Sequence, residues 1–237
     1  MRFILVFAPV IVLACGCAGS GLSSSSGPQV RALNVVPAYS SVNVTDGTTT
    51  LVADLLFATE SGNTRYPYTT GLSGSEPISF VSGATTFATV TADLTNSQTI
   101  NAIASNSSAG SVILLEDDTS IPTDSEVRLV NASSLGSVDF VFTLSGGTAL
   151  APFTVGQGAV YPAQPALPGF KYQVVTSGSY KIQVYPKGQE STTTPIIDGT
   201  ISVPVGKRWT LVLADSPNGD GQGVLVQVQD NQQLNVD

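Results

Sequence analysis

Apolar and polar residues alternate with period two along most of the second half of this chain. Val138, Phe140 and Phe142 interleave with Asp139, Val141 and Thr143, and Tyr180, Ile182 and Val184 with Lys181, Gln183 and Tyr185. Trp209, Leu211 and Leu213 alternate with Thr210, Val212 and Ala214, and Val224, Val226 and Val228 with Leu225, Gln227 and Gln229. Period two places each apolar set on one face of a β-strand. Ser-Gly-Gly, Ser-Gly-Ser, Val-Gly-Lys and Asn-Gly-Asp-Gly separate the runs and supply turn chemistry. Six or seven such strands in about 100 residues predict an antiparallel sandwich with one inward face per strand. Trp209, in phase with Leu211 and Leu213, is expected in the core.

The first half repeats the second. "VRALNVVPAYSSVNV" from Val30 matches "VRLVNASSLGSVDFV" from Val127: each has Val-Arg, an Asn three residues after the Arg, then a Val followed by Asn43 or Asp139. One residue must be dropped to keep the later part in register. The ends also correspond. "INAIASNSSAGSVILLEDD" (Ile100 to Asp118) and "TLVLADSPNGDGQGVLVQVQD" (Thr210 to Asp230) each run from a strand through a polar turn into a strand ending in acid. The predicted organisation is a first β-sandwich over 30–118, a linker over 119–125, a second sandwich over 126–231 and a tail over 232–237. The first copy, richer in Thr and Ala, carries the weaker strand pattern.

The segment ahead of these copies is of another kind. Met1-Arg2 is followed by the uninterrupted apolar run "FILVFAPVIVLA" and then by Cys15, Gly16 and Cys17. Twelve residues are too few to span a bilayer but suit the apolar region of a secretory signal. Val12-Leu13-Ala14-Cys15 resembles the bacterial lipobox, in which the cysteine is acylated and becomes the first mature residue. The expected signal is therefore 1–14, with Cys15 the lipidation site and Cys17 the alternative. A Gly/Ser tether follows, the linking segment running over 15–29. The chain has no other cysteine, so no disulfide staples the body.

Composition narrows the chemistry. Charged residues are only 11% of the chain, with 9 Lys+Arg against 17 Asp+Glu and a net charge of −8. Lys207-Arg208 is the sole adjacent basic pair, so nucleic acid and anionic lipid are poor partners. With no histidine and no cysteine beyond the leader, triads, imidazole ligands and thiolate metal sites are excluded from the body. Carboxylates remain. Glu116, Asp117 and Asp118, with Asp215 and Asp220, are the candidates for a glycan hydrolase, all expected at solvent-facing strand ends. Asp215, Asn218 and Asp220 in "DSPNGDGQG" are weak calcium candidates, lacking the spacing of an EF-hand. Tyr66, Tyr68, Tyr161 and Tyr185, each beside a proline, are candidate ligand-loop aromatics.

"VRLVNAS" with "SVDFVF", "SGSYKIQVYPKG", "IIDGTISVPVGKRWTLVLAD" and "GVLVQVQDN" resemble the domain-of-unknown-function 4397 family. The resemblance covers nearly all the mature chain and is looser in the first copy. It implies an exported bacterial lipoprotein with tandem Ig-like β-domains, and no catalytic residues. The resulting expectation is an all-β protein of two tandem Ig-like antiparallel sandwiches behind a lipoprotein signal and tether. It would be anchored in the bilayer of the cell envelope, at the outer membrane or cell surface. It would act there without enzymatic activity or cofactor as a structural, adhesive or binding module for an envelope protein or glycan. A calcium-stabilised carbohydrate-binding module and a carboxylate-dependent glycan hydrolase are the alternatives.

Overall fold

The computed structural model describes residues 28–59, 75, 77–91, 93–95, 98–106, 111–163 and 171–230. The signal, most of the tether, Cys15, Cys17, Tyr66, Tyr68 and the tail lie outside these residues. The described chain is all β. Its first half holds β1 (Gln29–Asn34), β2 (Ser41–Asp46), β3 (Thr49–Leu56), β4 (Ile78–Ser82), β5 (Thr85–Val90), β6 (Thr99–Ala104) and β7 (Val112–Glu116). The second half opens with β8 (Ser125–Asn131), β9 (Val138–Leu144), β10 (Phe153–Val155), β11 (Val160–Tyr161) and β12 (Gln173–Val175). It continues with β13 (Gly178–Pro186), β14 (Ile197–Val203), β15 (Arg208–Asp215) and β16 (Gly223–Gln229).

The strand order is the same twice. One sheet runs β3-β2-β4-β5 in the first half and β10-β9-β13-β14 in the second; the other runs β1-β6-β7 and β8-β15-β16, with β11 and β12 added beside β8. The expected antiparallel pattern is corrected at one place in each half. β1 pairs in parallel with β6, and β8 with β15. A parallel pair needs a long crossover, and here the crossover is the whole of the other sheet.

A second correction concerns faces. The apolar alternation does bury one set against the facing sheet: Val138, Phe140, Phe142, Tyr180, Ile182 and Val184 meet Val127, Leu129, Leu211 and Leu213. Trp209 packs half-buried on the same cluster, as its phase predicts. The opposite face of β8 and β15 is buried as well. Val130, Ala132, Val212, Ala214 and Val228 form a third core with Leu33, Val35, Ile103 and Leu115 of the first half. The molecule is therefore four sheets deep, with a core inside each half and another between them. Strands buried on both faces lose the clean alternation of a half-exposed strand. This is why β1, "QVRALN", has every residue after the first buried.

The repeated asparagine has a local task. Asn34 Nδ2 donates to the Tyr39 carbonyl at 2.7 Å while its Oδ1 accepts from the Val36 amide at 3.2 Å. Asn131 repeats this with the Gly136 carbonyl at 2.6 Å and the Ser133 amide at 3.3 Å. In both halves it shapes the turn carrying the chain from one sheet to the other. The linker is also fixed. Arg208 Nη1 donates to the Ser120 carbonyl at 2.8 Å and pairs with Asp118 Oδ2 at 2.7 Å, while its Nε pairs with Glu126.

Candidate functional site

Among the described residues, the densest polar chemistry lies between the halves. β1 and β8 each carry an arginine one position past the repeated valine, Arg31 and Arg128, pointing away from the half's own core. β7 and β16 each lead into an aspartate, Asp117 and Asp230. The four side chains are wholly buried and bonded to one another. Arg31 Nη2 lies 3.1 Å from Asp117 Oδ2 and pairs with Asp230 Oδ1; Arg128 Nη2 pairs with Asp117 Oδ1 and lies 3.4 Å from Asp230 Oδ2. Exchanging the halves maps this network onto itself. The backbone ties obey the same exchange: Arg31 Nη1 donates to the Gln229 carbonyl and Arg128 Nη1 to the Glu116 carbonyl, each at 2.9 Å.

The symmetry breaks on the neighbouring strands. Thr210 Oγ1, beside Arg128, accepts from its Nε at 3.0 Å and Nη2 at 2.8 Å and donates to Asp230 Oδ2 at 2.5 Å. The first-half counterpart, beside Arg31 in the register of β1 and β6, is Asn101. Asn101 is fully buried, and both of its amide atoms lack a hydrogen-bond partner. Such a group costs about 1–3 kcal/mol. Asn101→Val is therefore expected to raise stability by about 1 kcal/mol, read as a higher urea midpoint at unchanged m. A lower midpoint would mean that the amide is satisfied in solution.

Burial, and next the nearby Asp230, push the Asp117 carboxyl above its ordinary range, while Arg128 and Arg31 pull the other way. Tyr172 closes the second-half side, its ring centre 4.8 Å from the Arg128 guanidinium and 5.3 Å from that of Arg208. This ordering of charge is structural. Asp117, expected at a solvent-facing strand end, is 3% exposed and held by two guanidiniums, so it has no face to offer a glycan.

Asp215, Asn218 and Asp220 fall at the opposite end of the strands. Asp215 accepts the Ser134 amide at 3.1 Å on each oxygen and the Asn106 amide group at 2.6 Å on Oδ2. Asn106 occupies the position in the first half that Asp215 holds in the second, so the two meet across the same approximate twofold. Asp220 is exposed and accepts the Gln222 amide at 3.0 Å, which holds its carboxyl below the ordinary range. Asn218 donates its own amide to Ser216 Oγ at 3.2 Å. These bonds are those of a polar turn. Among the described residues no three acidic, histidine or cysteine side chains gather as a metal centre would require. Pro37, Ala38, Asn106, Ser134, Leu135 and Asp215 line a cleft of about 460 Å³ between the halves here.

Two aromatic candidates can be placed. Tyr185 is not on a loop: it lies in β13 and is 7% exposed, so its ring is not available for stacking. Tyr161 lies in β11, half-buried against the second core, with its ring centre 5.2 Å from that of Phe153. A tyrosine beside a proline here closes a strand. Sequence reading missed Arg31, Arg128, Asp230, Arg208 and Tyr172. The signal was present for the first three: an arginine within an apolar strand and a terminal acid, each occurring at the same place in both copies.

No family model matches the chain, and no curated protein matches it.

Proposed function

We propose that this chain is an exported lipoprotein, anchored through Cys15, whose two Ig-like sandwiches form a rigid non-enzymatic binding or structural module of the cell envelope. The observation that carries the reading is the apolar run ending in Val12-Leu13-Ala14-Cys15, followed by a Gly/Ser tract that reaches the first strand. Two or three acyl chains on one cysteine hold a protein to a bilayer lastingly, where one would not. The body supports a passive role. Asp117 is enclosed, Asp215 is occupied by loop contacts, and the linker is clamped by Arg208, so the halves are joined stiffly. The cleft around Asn106, Ser134 and Asp215, at the end farthest from the tether, is the surface such a module would offer to an envelope protein or glycan. The resemblance to the domain-of-unknown-function 4397 family agrees with this reading.

Mass spectrometry of the N-terminal peptide from membrane-extracted protein tests the anchor. A diacylglyceryl-modified Cys15 is expected, and Cys15→Ser should leave the protein unprocessed. A free α-amine at a residue beyond Cys17 would refute the reading.

A further inference from the structure

The strands of both halves run up and down between two ends, and the exposed large aliphatic side chains are concentrated at one of them. Ile121 (59% exposed) packs beside Gly206, the residue that follows Val205 (66%): a side-chain carbon placed on Gly206 would meet Ile121 Cγ2 at 3.6 Å. Val205 and Val174 (53%) line one groove with Asp124 and Thr176, and Val174 and Leu150 (40%) line the next. Four of the five exposed large aliphatics among the described residues thus form one continuous surface; the fifth, Leu56, pairs with Ser41 near the other end of the first half. Isolated exposed aliphatics are ordinary, but a joined set marks an interaction surface.

The position of this surface says what covers it. The described chain enters at the same end. Gln29, the first residue of β1, donates its amide to the Gln98 carbonyl just ahead of β6, level with the start of β8 and the β14–β15 turn that carries Val205. Twelve residues separate Cys15 from Pro28, and most are Gly, Ser or Ala. For a Gly/Ser-rich composition of that length the expected mean span is about 20 Å. An anchor at Cys15 therefore holds this end, and not the Asp215 end, within reach of the lipid.

We propose that the Ile121–Val174–Val205 end of the second half is a membrane-facing surface that inserts its aliphatic side chains at the boundary between headgroups and acyl chains of the bilayer carrying the anchor. This rests on the lipoprotein reading. Attraction to anionic lipid contributes little, because the groove includes Asp124 and the chain is net negative. The contact is apolar, of the kind amphipathic surfaces make when they settle roughly 5–10 Å into the interface. It fixes the orientation of the body: β8 and β15 stand away from the membrane, and the cleft at Asp215 faces outward.

The test uses the full lipidated protein with Cys17→Ser, reconstituted in phosphatidylcholine vesicles. An environment-sensitive fluorophore is attached at Val205→Cys, at Ile121→Cys or, at the far end, at Asn218→Cys. Lipids bearing a quencher on the acyl chain are expected to lower emission at least twofold at 205 and 121 and to leave 218 unchanged. Acylated protein with unquenched labels at 205 and 121 would overturn the proposal and leave the anchor standing. Equal quenching at 218 would overturn it as well. A lipid-independent blue shift at 205 that grows with protein concentration would give the surface to a second copy instead. Protein without acyl on Cys15 would bring down the anchor and this inference together, and the mass of the N-terminal peptide separates that case from the others.

Discussion

Arg128→Met is expected to destabilise the protein by about 3–5 kcal/mol, because it leaves two buried carboxylates with one guanidinium between them. For a body of this size that corresponds to a drop in melting temperature on the order of 10 °C. Arg128 also bonds Thr210 Oγ1 and lies over the Tyr172 ring, so its removal disturbs both. The magnitude comes from desolvation rather than from the strength of the pair. Lys181 and Asp198 also meet at 3.1 Å, but about half of each side chain is exposed. Lys181→Met should therefore cost about 0–1 kcal/mol. The decisive comparison replaces all four residues, as Arg31→Met, Asp117→Leu, Arg128→Met and Asp230→Leu. With no charge left behind, the site becomes a continuation of the apolar core between the halves, and stability should return to the parental level or exceed it by about 1–4 kcal/mol. Chemical denaturation of the three variants measures this. A quadruple variant less stable than Arg128→Met would show that the quartet contributes favourable energy of its own, and that desolvation does not dominate.

The paired charges also explain what could and could not be seen in the sequence. The second half was legible because its outer sheet is buried on one face only. Val138, Phe140 and Phe142 in β9 and Tyr180, Ile182 and Val184 in β13 follow period two and face the core. β3 of the first half was not, and its register with β2 shifts between Val42 and Val44 and again before Thr45. A bulge adds a residue to one strand and breaks the alternation. The doubly buried strands were hidden for a different reason. "LVLA" in β15 reads equally as one buried face with small residues opposite or as two buried faces. The choice depends on a partner sheet almost 100 residues away in the chain. The repeat itself was visible, and with it Arg31, Arg128, Asn34 and Asn131. Their roles were not, since an arginine between a valine and a leucine does not reveal which carboxylate it meets. Strand-end acids are most often solvated, and that prior misplaced Asp117. Tyr185 was misplaced similarly: the proline beside it suggested a loop, whereas Pro186 ends β13.

Cutting the chain at the linker is the second change with a large expected effect. The segment 119–230 expressed alone should lack a cooperative thermal transition, although it holds a complete pair of sheets with its own core. Removing the first half uncovers Val130, Val212 and Val228, worth roughly 1.5 kcal/mol or more each when buried. It also strips Arg128 of Asp117 and of the Glu116 carbonyl. If the lost charge pairing costs about 3–5 kcal/mol, the total approaches the ~5–15 kcal/mol by which a domain is stable at all. The intact protein should accordingly melt in a single calorimetric transition, its calorimetric and van't Hoff enthalpies agreeing. The isolated segment should bind hydrophobic dye and lose near-ultraviolet circular dichroism while keeping its far-ultraviolet β signal. Two separate transitions in the whole protein, one of them reproduced by the isolated segment, would show two independent sandwiches that merely touch. The single transition would instead mean that the tandem copies became one folding unit. The shared interior would then keep the two halves from flexing at the linker, so that the Asp215 cleft stays at a fixed distance and direction from the opposite end of the body, where β1 begins.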